Sequence, residues 1–204
     1  MDRLVIENIK TVKHSTPIDD ISGLMLPKNR AYTLKEIYIK EAENIAMATI
    51  KYLSHIPVKR EAPFTYEWFL KLHFEMFGKV WQWAGKLRQA ELSIGIRAYL
   101  IPTELKKLSD DLHYWEENKT YDVYEIATRL HHKAVKIHPF QNGNGRWGRM
   151  LANIYLRQNG LMPVKWQEEL LAIENPKRND YIKALKKADE GDFAELIKMH
   201  QNTF

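Results

Sequence analysis

His138-Pro139-Phe140-Gln141-Asn142-Gly143-Asn144-Gly145-Arg146-Trp147-Gly148-Arg149 packs more chemically committed groups into twelve positions than any other part of the chain. The proline ends a helix at His138, and the Gly-Asn-Gly turn leads into a second helix from about Gly145. His138 then sits at the C-terminal end of one helix while the next points its free N–H groups into the same space. Gly143 and Gly145 let the backbone approach an anion closely, and Asn144 can fix the turn. Arg146 and Arg149 form an i, i+3 pair on one helix face and offer forked, charge-assisted bonds. A general base and an anion receptor therefore share a pocket suited to a phosphate-bearing ligand. The same residues also fit a plainer reading, a helix stop, a turn and two solvated arginines. The spacing is not that of a P-loop, and the turn does not follow a strand as a dinucleotide fingerprint does.

The chain of 204 residues is 45% hydrophobic and 28% charged, which fits one ordinary globular domain. It has no cysteine, which excludes disulfides, thiolate chemistry and cysteine-held metal. The net charge is +5 with acids and bases interleaved, so direct nucleic-acid binding is not indicated. The first ten residues lack the apolar core of a signal peptide, and no run approaches the roughly 20 apolar residues of a membrane helix. The expectation is a cytoplasmic protein without a membrane partner.

Outward from the central stretch the chain reads as mainly α. Residues 1–30 lack a clear period and are expected to form an N-terminal arm, with one domain over 31–204. A long amphipathic helix is expected over 33–54, from the spacing of Ile37, Ala42, Ile45, Ala46, Ile50 and Leu53. A second runs from Thr65 to Phe77 with Trp68, Phe69, Leu72 and Met76 inward, and a third from Pro102 to about Asn118. Asp122 with Glu125 caps a helix that reaches Ile137. The helix of the central stretch ends at Asn159-Gly160, and two shorter helices follow Asn179 and Asp192. Only residues 92–101, apolar residues around Gly95, look like a β-hairpin.

The central stretch resembles the signature of Fic domain proteins, His-x-Phe-x-Asp/Glu-Gly-Asn-Gly-Arg-x-x-Arg. Every defined position matches except Asn142. Trp83-Ala84-Gly85-Lys86-Leu87-Arg88, the helix running into His138, and residues Tyr181 to Phe193 are similar too. The subgroup called mobile mystery protein B shares the Asn142 variant and resembles this chain beyond about residue 20. The resemblance implies a Fic-type helical bundle with a short β-hairpin flap. It also implies transfer of AMP from ATP to a Ser, Thr or Tyr hydroxyl of a target protein. His138 would be the base, Gly143, Asn144, Gly145 and Arg146 the hole for the inner phosphates, and Arg149 the holder of the γ-phosphate. The flap residues Leu92, Ser93, Ile94, Gly95 and Ile96 would dock the target as an added strand. The subgroup further implies a bacterial, toxin-like role beside a regulatory partner protein.

Asn142 stands where the family has an acid that holds Mg²⁺, so a weaker metal site is expected, with a slow reaction or a changed nucleotide preference. An inhibitory helix is also common in the family, its glutamate pairing with the last arginine of the signature. Glu43-Asn44 matches the end of that motif, although Ile39 stands at its Ser/Thr position. Related chemistries such as UMP transfer, phosphate transfer or AMP removal stay open, as does a non-catalytic nucleotide-binding module. His131, His132 and His138 do not read as a zinc site, because only His131 and His138 share a helix face. Trp68, Trp81, Trp83, Trp115 and Trp166 read as core, and Lys183, Lys186 and Lys187 as a solvated helix edge.

Overall fold

Helix boundaries follow local capping chemistry in a computed structural model that describes residues 23–27, 30, 32–171 and 175–201. Helix α1 spans Leu34–Leu53. Thr33 Oγ1 accepts the Glu36 amide at 3.2 Å, and the Glu36 carboxylate accepts the Thr33 amide at 2.8 Å, a reciprocal box that fixes the start. Thr65 and Asp122 start α2 (Tyr66–Phe77) and α4 (Val123–Ile137) with a single cap bond each, accepting the Trp68 and Glu125 amides. Between them, α3 (Ile101–Glu117) carries proline in its first turn, where the missing N–H is no loss. Helix α5 spans Asn144–Gln158. The short α6 (Glu168–Leu171) was not signalled by the sequence. Helix α7 (Pro176–Asp189) starts earlier than expected, because Asn175 rather than Asn179 caps it, its Oδ1 accepting the Arg178 amide. Helix α8 covers Ala194–Gln201.

Helices α4 and α5 form the central hairpin. A Cβ on Gly148 would lie 3.0 Å from a Val135 methyl, so glycine lets the two axes close. Around this pair a core gathers Phe69, Leu72 and Met76 from α2, Leu105 and Leu108 from α3, and Leu130, Ala134, Trp147, Leu151 and Ile154 from the hairpin itself. A second, smaller core joins Leu171, Tyr181, Ala184, Leu185, Ala188 and Leu196 of α6–α8.

Two expectations need correction. The buried face of α1 is Ile37, Glu41, Asn44, Ala48 and Tyr52, while Ile50 is exposed. Hydrophobic spacing mislocated the face because two of its members are polar and are buried by specific bonds. Asn44 donates to the Glu75 carbonyl at 2.8 Å and accepts the Lys79 amide at 2.9 Å, clamping α1 to the end of α2. The expected hairpin at 92–101 does not form. Residues 93–96 are bends, Ala98–Leu100 is a 3₁₀ turn, and α3 starts at Ile101. Exposure does alternate along Leu92 to Ala98, which is the strand-like signal, but the amides go elsewhere. The Ile96 amide bonds the Ile137 carbonyl at 3.4 Å, and Arg88 Nη2 donates to the Ile96 carbonyl. Among the described residues the one β-bridge pairs Leu24 with Trp81. The rest of the expected arm, residues 1–22, 28 and 29, lies outside the described residues.

Candidate functional site

The helix stop at His138 is a left-handed residue, φ 53° and ψ 59°, and its carbonyl accepts Arg88 Nε at 2.7 Å. Arg88 is the organiser that sequence reasoning missed. Buried, it also donates Nη1 to the Ala90 carbonyl at 2.9 Å, and its amide donates to Pro139 O at 2.9 Å. One guanidinium thereby ties the His138 turn to the 92–97 loop, which lies directly over it. A Cβ on Gly95, at φ +93°, would come within 2.5 Å of the His138 Cβ.

His138 is buried, with Nδ1 3.3 Å from the Val135 carbonyl. Burial pushes its pKa down to about 4; the Val135 bond opposes this and Arg88 reinforces it. The ring is therefore neutral at pH 7. Because a carbonyl can only accept, Nδ1 carries the proton and Nε2 holds the basic lone pair.

The turn after His138 is fixed from inside. Asn144 accepts the Phe140 amide at 2.9 Å and donates to the Phe140 carbonyl at 2.8 Å, so its side chain is spent on the turn and only its backbone N–H can face a ligand. Fully buried, Phe140 stacks on His73 at 3.6 Å between centroids. His73, also missed from sequence, lies 3.1 Å by Nε2 from the Asn142 carbonyl and accepts the Gly85 amide at 2.9 Å on Nδ1. Burial lowers its pKa to about 3, so this clamp is permanently neutral. Gly143, at φ +80°, then opens α5, whose first-turn amides at Asn144, Gly145 and Arg146 have no helical carbonyl ahead of them.

Both arginines are held, and neither is simply solvated. Arg146 Nη1 lies 2.7 Å from Glu41, a completely buried carboxylate that also accepts Trp81 Nε1 at 2.5 Å. Buried Arg149 donates Nε to Glu168 at 2.8 Å and Nη2 to the other Glu168 oxygen, while Nη1 reaches Tyr181 Oη at 3.3 Å. Burial alone would weaken its charge, but the Glu168 carboxylate and Tyr181 outweigh that and hold the guanidinium above its ordinary range. Glu43 does not fill the expected inhibitory place. It is exposed and pairs with Lys40 at 2.8 Å, because it points from the outer side of α1 while Glu41 points in.

The Mg²⁺ expectation fails the test of its donors. Asn142 Oδ1 accepts the Gly143 amide at 2.6 Å, the stretch from His138 to Arg149 contains no carboxylate, and among the described residues no cluster of three or more acids or histidines could hold a metal ion. Mg²⁺ prefers hard anionic oxygens, so these residues do not build a site for it. The 92–97 loop borders an open groove lined by Glu91, Leu92, Gly95, Ile96, Arg97 and Leu100. Among the described residues no helix is long and apolar enough to cross a membrane.

Residues 63–156 match the model of the Fic/DOC family. The chain is 28% identical over 153 residues to the protein adenylyltransferase Fic of Nematostella vectensis, covering 73% of this chain and 34% of that one. The corresponding Drosophila yakuba protein is 32% identical over 133 residues, 63% of this chain and 26% of that one. The chain thus spans about a third or less of these relatives. Among solved structures, Fic-1 (residues 134–508) of C. elegans superposes with a TM-score of 0.61 at 23% identity, covering 86% of this chain and 50% of that one. The AMPPNP-bound BepC protein of Bartonella tribocorum gives 0.61 at 17%, covering 83% and 86%. Residues 63–156 are thus similar to the Fic/DOC family, and the helical architecture of the chain is that of these solved Fic structures.

Proposed function

We propose that this protein transfers AMP from ATP to a hydroxyl side chain of a target protein. The observation that carries this reading is a neutral histidine, with Nε2 as its basic nitrogen, on the same short turn as the open N-terminus of α5 and two arginines. In the proposed step Nε2 of His138 takes the proton of the target hydroxyl as its oxygen attacks the α-phosphorus. The bond to the pyrophosphate oxygen breaks, and pyrophosphate leaves. The first-turn amides and Arg146 receive the inner phosphates, and Arg149 the outermost. Glu41 is buried and stays, orienting Arg146. Glu168 is 43% exposed in its side chain, so it is the partner that the phosphate replaces on Arg149.

The groove beside residues 92–97 takes the target segment, with Gly95 keeping its floor against His138. The names of the curated relatives and the AMPPNP bound by BepC support the nucleotide and the reaction class. The mobile mystery protein B likeness, and with it a regulatory partner, rests on Asn142. That residue also favours a second reading, a nucleotide-binding module without turnover, because its oxygen is already spent on Gly143. The two readings separate on incubation of wild type and His138→Ala with α-labelled ATP, a divalent cation and a cell lysate. Transfer predicts protein-bound label that His138→Ala reduces by at least a hundredfold, the scale of a lost general base. Equal label with both proteins, or ATP binding without label, refutes transfer.

A further inference from the structure

We propose that a buried hydrogen-bond chain, Tyr181–His131–His200, positions Arg149 for the outermost phosphate of the nucleotide. This rests on the reading of Arg149 given above. The links are Arg149 Nη1 to Tyr181 Oη at 3.3 Å, Tyr181 Oη to His131 Nε2 at 3.0 Å, His131 Nδ1 to His200 Nε2 at 3.2 Å, and His200 Nδ1 to the Leu196 carbonyl at 2.8 Å. They join α5, α7, α4 and α8.

The direction of every link is fixed from its far end. Leu196 O can only accept, so His200 Nδ1 carries a hydrogen, and the neutral ring presents Nε2 as an acceptor. His131 must then donate from Nδ1 and accept at Nε2, which takes the Tyr181 hydroxyl hydrogen. The Tyr181 oxygen is left as an acceptor aimed at Arg149. Both rings are buried and their pKa values are lowered by that burial, so they stay neutral and the order holds at pH 7. Reversing one ring would set two N–H groups against each other in a buried site.

The chain matters because the partners of Arg149 are unequal. Glu168 is half-exposed on a four-residue helix, whereas Tyr181 is 3% exposed and set in the smaller core, its ring parallel to His131. When a phosphate takes the place of Glu168, the bond to Tyr181 remains, and its oxygen keeps the guanidinium fork turned toward the first turn of α5. A Cβ on Gly145 would lie 3.2 Å from Arg149 Nη1, which shows how near that turn the fork is held. Tyr181 and His200 lie outside residues 63–156, so α7 and α8 gain a role in the site through this contact.

The test compares the affinity of the full chain for a non-hydrolysable ATP analogue and for ADP, in wild type, Arg149→Ala and Tyr181→Phe. Tyr181→Phe keeps the ring and removes only the oxygen. The expected result is that Arg149→Ala abolishes the preference for the triphosphate, and that Tyr181→Phe cuts it roughly tenfold while ADP affinity is unchanged. A merely structural Tyr181 would weaken both nucleotides together or neither. If Arg149→Ala removes the preference and Tyr181→Phe does not, the positioning chain is refuted while the phosphate reading of Arg149 stands. If Arg149→Ala leaves the preference intact, both fall. Should Tyr181→Phe not fold, the ring nitrogens of His131 in the wild type are followed by ¹⁵N NMR. They should shift with the triphosphate analogue and not with ADP, and no shift with the analogue overturns the proposal.

Discussion

Asn142 decides in a single side chain what the turn can offer a cation. Its oxygen closes on the Gly143 amide at 2.6 Å, so the turn keeps its shape while the pocket loses the anionic oxygen that a cation would use. An aspartate could accept the same amide with one oxygen and offer the other. Asn142→Asp is therefore expected to raise turnover at limiting Mg²⁺ by about tenfold, worth about 1.4 kcal/mol of transition-state binding. Steady-state rates across a Mg²⁺ titration check this, and unchanged rates would mean that Asn142 does not limit the reaction. His138, Gly143, Arg146 and Arg149 were legible because they lie within twelve consecutive residues and obey local turn and helix rules. Arg88, His73, Glu41, Glu168 and Tyr181 were not. Each meets the site across 19 to 105 residues of sequence, and nothing local distinguishes a polar residue buried by one specific bond from a solvated one.

Among the elements, the start of α5 is where backbone strain and packing coincide. Gly143 has φ +80°, and a Cβ there would approach the Phe77 ring at 2.6 Å. Gly160, past the end of the same helix, has nearly the same φ of +78° with nothing within 4 Å of the added carbon. Gly160→Ala is expected to cost about 1 kcal/mol, the backbone penalty alone. Gly143→Ala is expected to cost about 2–4 kcal/mol, because the ring must move as well. Chemical denaturation of the two variants measures the difference, and equal losses would show that Phe77 yields freely. The expected boundaries of α1, α2 and α4 were close because their cap residues are in the sequence. The 92–97 loop was misread because alternation records exposure and says nothing about which backbone groups pair.

At the scale of the whole molecule, several neutral histidines are built into the interior. Burial lowers the pKa of His73 to about 3 and those of His138 and His200 to about 4, and His131 and His132 move in the same direction. Unfolding returns each to its ordinary value near 6.5, so between that pH and about 4 the unfolded chain binds more protons. Stability is thus full above about pH 6.5 and falls as pH drops toward 4, with His73 extending the loss to about 3. At about pH 5.5 each of His73, His138 and His200 removes on the order of 1 kcal/mol, and the three together lower Tm by on the order of 10 °C. Thermal melts from pH 7.5 to 5 check this, and a flat Tm would contradict the neutral interior. The helical architecture followed from capping and periodicity, whereas the second core and its histidine chain depend on how distant helices meet. Labelling protein with α- and γ-labelled ATP in parallel distinguishes AMP transfer from phosphate transfer. Protein-bound label is expected from the α position alone and is lost in His138→Ala; label from the γ position would contradict AMP transfer.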